Sequence, residues 1–222
     1  MFVQVVQGKV GDEPRLRRRL DEWLAELAPG ASGWLGGTYG ITDDGEFVAV
    51  VRFASPEDAE RNAARPEQGS WWADTETCFD GKVMFHDCPD AVTMLEGGSD
   101  TAGFVQVMQA RAVDREAAMA PMTPEEQSMM SAERPDVLGG TTALCRDDDV
   151  ITMTMAFRTE AEAREAERRE PSPQARESMD RTMAALADLR YLDLHHPWFA
   201  SRDVSVPGPR REAPSERQQP AG

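Results

Sequence analysis

The chain has 222 residues, 40% of them hydrophobic, enough for one large or two small domains with a sizeable buried core. Its formal charge of -16 repels phosphate backbones and anionic lipid surfaces, so neither nucleic acid nor membrane is an expected partner. No apolar run approaches the roughly 20 residues that span a bilayer, and the opening MFVQVVQGKVGDE lacks the basic segment and long apolar stretch of a signal peptide, so a cytoplasmic location is expected.

Phe2 to Gln7, FVQVVQ, is short, apolar and β-branched, and predicts a strand. Along its pleat Gln4 shares a face with Phe2 and Val6, and Gln7 with Val3 and Val5. One of the two amides must therefore point at a packed face, where it ties to neighbouring backbone or lines a polar cavity. Leu16, Leu20, Trp23, Leu24 and Leu27 then form one apolar helical stripe, with Asp12 as cap and Pro29-Gly30 as stop. Residues 34–41 and 46–53 predict two strands around the turn Asp43-Asp44-Gly45. Ser55-Pro56-Glu57-Asp58 opens a helix, since a capping hydroxyl is followed three residues later by an acid. A second helical piece is predicted from Ser70 to Phe79, and Val83 to His86 closes the series as a strand.

The series then starts again. FVQVVQ returns as FVQVMQ, Phe104 to Gln109; Leu35-Gly36-Gly37-Thr38 returns as Leu138-Gly139-Gly140-Thr141, Asp43-Asp44 as Asp147-Asp148, Phe53 as Phe157 and Arg65 as Arg169. Thr159-Glu160-Ala161-Glu162 repeats the helix start. In the second copy Pro121 and Pro124 interrupt the first helix, so it is predicted as two pieces, the second starting at Thr123-Pro124. Residues 96–103, EGGSDTAG, read as a linker between units 1–95 and 104–203, and residues 204–222, rich in proline, arginine and glutamine, as a disordered tail. Each β-α-β-β-α-β unit describes a ferredoxin-like α+β fold, an antiparallel sheet with helices on one face. The bare face needs a cover, and the tandem copy supplies it: the two sheets are expected to pack face to face as an intramolecular α+β barrel, formed by one chain as a monomer.

Twin units of this kind, with glycines in the second strand and tryptophans in the second helix, resemble the dimeric α+β barrel superfamily, in its antibiotic-biosynthesis-monooxygenase-like branch, with the dimer fused into one chain. The resemblance implies a pocket in each unit, used by some members to oxidise polycyclic or quinone-like compounds with oxygen and no cofactor. The partner it implies is a small hydrophobic or aromatic molecule. Other members degrade heme, but these carry the ligand histidine on the helix after the tryptophan, where this chain has Gly81-Lys82.

Asn62, Trp71, Trp72 and His86 resemble the residue types that the branch places around its pocket. The resemblance implies Asn62 and Trp72 positioning an aromatic substrate and His86 taking a proton, with Trp71 beside them. Gln4 and Tyr39 are further candidate substrate contacts of this chain, the glutamine standing near where family members often have an asparagine. Read as structure instead, Trp71, Thr75, Cys78 and Phe79 form one helical face, which makes Trp71 core, and Trp72, about 100° further round, the better pocket wall. The second copy has Ala166 in place of Asn62 and no tryptophan there, which argues for one pocket, in the first half; Met179 and Met183 could equally fill the missing volume. His86, Asp87 and Cys88 do not predict a metal site, because neighbours on a strand point to opposite faces. Cys78, Cys88 and Cys145, odd in number and without a C-x-x-C, are expected as free thiols. A non-catalytic ligand-binding or structural barrel is the alternative that the sequence leaves open.

Overall fold

In the computed structural model, which describes residues 1–95, 101–120, 123–146 and 149–201, FVQVVQ opens β1, Phe2–Lys9. Antiparallel to it run β3 (Glu46–Phe53) on one side and β4 (Met84–Cys88) on the other, and β2 (Trp34–Ile41) pairs with β3. The second half repeats the arrangement with β6 (Phe104–Ala112), β7 (Val137–Leu144), β8 (Val150–Phe157) and β9 (Leu186–Leu194). Even the irregularity is copied: β2 shifts register between Trp34 and Gly36, and β7 between Val137 and Gly139.

The capping signals place the helices. Asp12 accepts from the Arg15 amide at the start of α1, Glu13–Glu22, which continues as a π-turn over Trp23–Leu27 and stops at Pro29-Gly30. Ser55 and Thr159 cap the equivalent helices α2 (Pro56–Ala63) and α6 (Glu160–Glu167). The next helix, α3, runs Pro66–Thr75 and so starts four residues before the predicted Ser70, because Pro66 fits a first helical turn, whose amides need no partner. In the second half α4 (Arg115–Met119) and α5 (Pro124–Glu133) are the two expected pieces, with Thr123 as the second cap, and α7 is Pro173–Ala184. Most of the expected linker (96–100), Pro121, Asp147-Asp148 and the expected tail lie outside the described residues.

Each sheet carries a fifth strand that the β-α-β-β-α-β reading does not contain. β5, Asp90–Met94, follows β4 in the chain yet pairs with β7, and β10, Trp198–Ser201, follows β9 yet pairs with β2. The sheet orders are β10-β2-β3-β1-β4 and β5-β7-β8-β6-β9, so each half lends its last strand to the other sheet. The exchanged strand approaches closely at Gly36, whose φ is +126° and where a Cβ would lie 2.3 Å from the Ala200 carbonyl oxygen, so no side chain fits.

Between the sheets, Val3, Val5, Val48 and Val50 of the first meet Val105, Val107, Ala143, Ala156, Leu192 and Leu194 of the second, so the barrel closes within one chain. Outside the first sheet, Phe2, Val6, Phe47 and Phe53 pack under α1 and α3 with Trp23, Trp34 and Phe79. The corresponding outer layer of the second half is built from smaller residues, among them Ala118, Ala163, Ala166 and Ala175. Met179 and Met183 do not fill that volume, as both are exposed.

The cysteine reading needs correction. Cys88, at the end of β4, and Cys145, just past β7, are joined by a disulfide in the layer between the sheets, and Cys78 alone is free. Their 57-residue separation hides the pairing in the sequence; the face-to-face packing creates it. Among the described residues no helix is long and apolar enough to cross a membrane.

Candidate functional site

The repeated glutamines fall into two matched pairs. Gln4 and Gln106 lie opposite Asp87 and Asp193 on the neighbouring strands and donate to them, at 3.0 and 3.3 Å. Gln7 and Gln109 face the layer between the sheets, are both buried, and bond to each other reciprocally: Gln7 Nε2 donates to Gln109 Oε1 at 3.1 Å, and Gln109 Nε2 to Gln7 Oε1 at 3.0 Å. A buried amide needs partners, and the duplication has made each amide the other's.

Around this pair the copies diverge. Gln7 lies opposite Met84 and Val5 opposite His86; Gln109 lies opposite Arg190 and Val107 opposite Leu192. Arg190 therefore stands where the first half has Met84, and His86 where the second has Leu192. Likewise Lys9 and Arg111 correspond, but their partners are Glu46 and Val150. A symmetric frame thus holds one histidine, one arginine and one glutamate. Arg190 donates through Nε and Nη2 to Gln109 Oε1, at 3.0 and 2.6 Å, and lies 3.4 Å from Glu46, which also accepts from Gln7 Nε2 at 3.1 Å. Thr152 Oγ1 takes the remaining Gln109 proton at 3.0 Å.

Two adjoining clefts open onto this network. One, of about 250 Å³, is lined by Lys9, Asp44, Glu46, Lys82 and Met84 with Gln7, His86 and Arg190. The other, of about 320 Å³, shares Gln7, His86 and Arg190 and adds Gln109, Arg111 and Asp188. Both are small for a ligand site, a size that suits a compact molecule. The Thr42 hydroxyl first, and the Lys9 charge after it, hold the Asp44 carboxyl below its ordinary range, so it enters the cleft as a carboxylate.

The residues singled out from the sequence are not brought to one place. His86 lies on the inter-sheet side of β4, while Phe85, pointing the other way, meets Trp72 edge-on at 5.0 Å on the helix side. Trp72 also packs on Phe79 and Trp71, and Trp71 donates from its indole to the Arg19 carbonyl at 2.8 Å. Asn62 is buried in α2, where its Oδ1 accepts from Arg65 at 2.9 Å; the same guanidinium nitrogen bonds the Leu27 carbonyl at 3.0 Å and so ties α2 to the end of the first helix. Tyr39 is buried and stacked on Trp198, and burial raises its phenol well above the ordinary range, so it stays protonated. Gln4 is engaged with Asp87. Of the six, His86 alone lines the clefts.

Arg190, Glu46 and the two lysines escape a reading of the sequence by motif. A usable signal existed: Asp87 and Asp193, each opposite a repeated glutamine, align β4 with β9, and that alignment exposes the exchanges of Met84 for Arg190 and His86 for Leu192.

No protein-family model matches the sequence, and no curated protein does. Solved structures match it in shape. A proposed monooxygenase from Lactobacillus acidophilus NCFM superposes with a TM-score of 0.68 at 13% identity over 90% of this chain and 95% of that one. A second proposed monooxygenase, from Fusobacterium nucleatum, gives 0.66 at 9% over 90% and 94%. An anthrone oxidase-like protein gives 0.63 at 12% over 92% and 94%. At these identities the likeness is one of fold.

Proposed function

We propose, from the α+β barrel fold that this chain shares with antibiotic-biosynthesis-monooxygenase-like proteins, that it oxidises a small aromatic, quinol-like molecule with oxygen and without a cofactor. The observation that carries this reading is His86 in the wall of both clefts, beside Arg190 and the buried amide pair. A histidine is the side chain whose ordinary titration lies nearest neutral pH, so it suits removal of an activated proton. In the proposed reaction His86 takes a proton from an activated ring CH₂, and the cleft's cations stabilise the resulting anion. Oxygen adds to that carbon, and His86 returns its proton to the peroxide. Loss of water, with the second carbon-bound hydrogen, leaves a carbonyl. One oxygen atom stays on the substrate and the other departs in the water. The 250 Å³ cleft draws every lining residue but Arg190 from the first half, which supports placing the chemistry there.

Oxygen consumption with a panel of quinol-like and anthrone-like compounds tests the reading. Turnover is expected, with His86→Ala slowing it about a hundredfold and Trp72→Phe, on the other face of the sheet, leaving it near the wild-type rate. Absence of turnover across the panel, or turnover indifferent to His86→Ala, would remove the oxidase reading. A second reading, binding without turnover, draws on the filled aromatic layer under α1 and α3, where Trp71 and Trp72 serve packing. Saturable binding without oxygen consumption would select it.

A further inference from the structure

Resting on the assignment of the site to these clefts, we infer that the ligand carries a single negative charge, as an aromatic carboxylate does. The chain has two lysines among its 222 residues, and both line the same cleft. Together the two clefts gather Lys9, Lys82, Arg111 and Arg190 against Asp44, Glu46 and Asp188. Four basic side chains to three acidic reverses the balance of the whole chain, where 40 acidic residues outnumber 24 basic ones. In so acidic a molecule this is a place where an anion is not repelled.

The partners of these groups say which charges remain for a ligand. Lys9 is engaged with the Asp44 carbonyl, and Arg111 is paired with Asp188 at 3.0 Å. Arg190 spends Nε and Nη2 on Gln109 and Glu46, which leaves Nη1. Lys82 is exposed and, among the described residues, makes no hydrogen bond or ion pair. Lys82 Nζ, with no carboxylate of its own, and Arg190 Nη1, on a guanidinium that shares its charge with Glu46, are then the charged donors that remain. Asp44 and Glu46 in the same wall oppose a second negative charge, which favours a monoanion over a phosphate dianion. The divergence of the copies points the same way, since Arg190 replaces the neutral Met84 of the first half at the mouth of the symmetric amide pair.

Equilibrium binding of benzoate, benzamide and phenyl phosphate at low salt, followed by protein NMR, tests the inference without requiring turnover. Benzoate is expected to bind at least tenfold more tightly than its neutral isostere benzamide and more tightly than phenyl phosphate, and to weaken as salt is raised. Lys82→Gln, at an exposed position that does not endanger folding, is expected to weaken benzoate about tenfold and leave benzamide unchanged, as is Arg190→Met, which restores the residue of the first half. No benzoate binding, equal binding of benzamide, preference for phenyl phosphate, or benzoate affinity untouched by both substitutions would each overturn the inference. Its fate is separable from that of the oxidase reading. Benzoate binding with no oxygen consumption would leave a carboxylate-binding protein. Oxidation of uncharged quinols, indifferent to Lys82→Gln but lost in His86→Ala, would keep the oxidase and remove the anion.

Discussion

Replacing Cys145 with serine is expected to lower the free energy of unfolding by about 4 kcal/mol, because cross-linking two points this far apart removes much of the freedom of the unfolded chain. The link joins residues 57 positions apart and fastens β4 to the opposite sheet. For a chain of this length that loss corresponds to a fall of roughly 10 °C in the melting temperature. Thermal unfolding of wild type and Cys145→Ser checks it, with wild type repeated after reduction in denaturant and refolding under reductant. The third cysteine does not confuse the result, because Cys78 is buried among Phe47, Phe79 and Leu16 on the helix side, and burial pushes its thiol up and keeps it protonated. A serine variant that melts within about 2 °C of wild type would mean that the link carries no constraint. Because Cys88 is two residues from His86 on the same strand, the variant is also expected to loosen the wall of the clefts.

Gln7→Ala is expected to destabilise the protein by about 3 kcal/mol, a large effect for a polar residue. The substitution removes both bonds of the reciprocal pair and the bond to Glu46, leaves part of the Gln109 amide unpartnered and opens a void in a buried layer. The physical content is in the coupling. Since each amide supplies both a donor and an acceptor to the other, beside Glu46 for Gln7 and Arg190 and Thr152 for Gln109, Gln7→Leu and Gln109→Leu together should cost about 1 to 2 kcal/mol less than the sum of the single changes. Urea unfolding of the four proteins measures this. Additive effects would show that the two strands do not meet as described.

Much of the architecture was legible because duplication writes each signal twice. The strand FVQVVQ, the hydroxyl caps Ser55 and Thr159, and the split before Pro124 are local features, set by side chains within a few residues of each other. The exchanged strands were not legible. Residues 90–94 and 198–201 are too short to carry a pattern, and their partners are edges that exist only once the other half has folded. The disulfide escaped for the same reason. At the site, His86 was visible as a histidine on a strand, but the strand's pleat, fixed by its pairing with β1, separates it from Trp72 and Asn62. Arg190 acquires meaning only from its register opposite Gln109. The sequence comparison places the divergence of the copies at Asn62, Trp71 and Trp72; the strand register shows a second divergence, Met84 against Arg190 and His86 against Leu192, and that one lies at the clefts.

The claim on which the rest depends is that one chain closes the barrel on itself. Intact mass under denaturing, non-reducing conditions, followed by mapping of the linked peptides, tests it most directly. A single species at 24.5 kDa, lighter than the sequence by two hydrogens, with the Cys88 peptide joined to the Cys145 peptide, is the predicted result. A Cys88 to Cys145 link found only in a covalent dimer would place the second sheet on another chain and contradict the account.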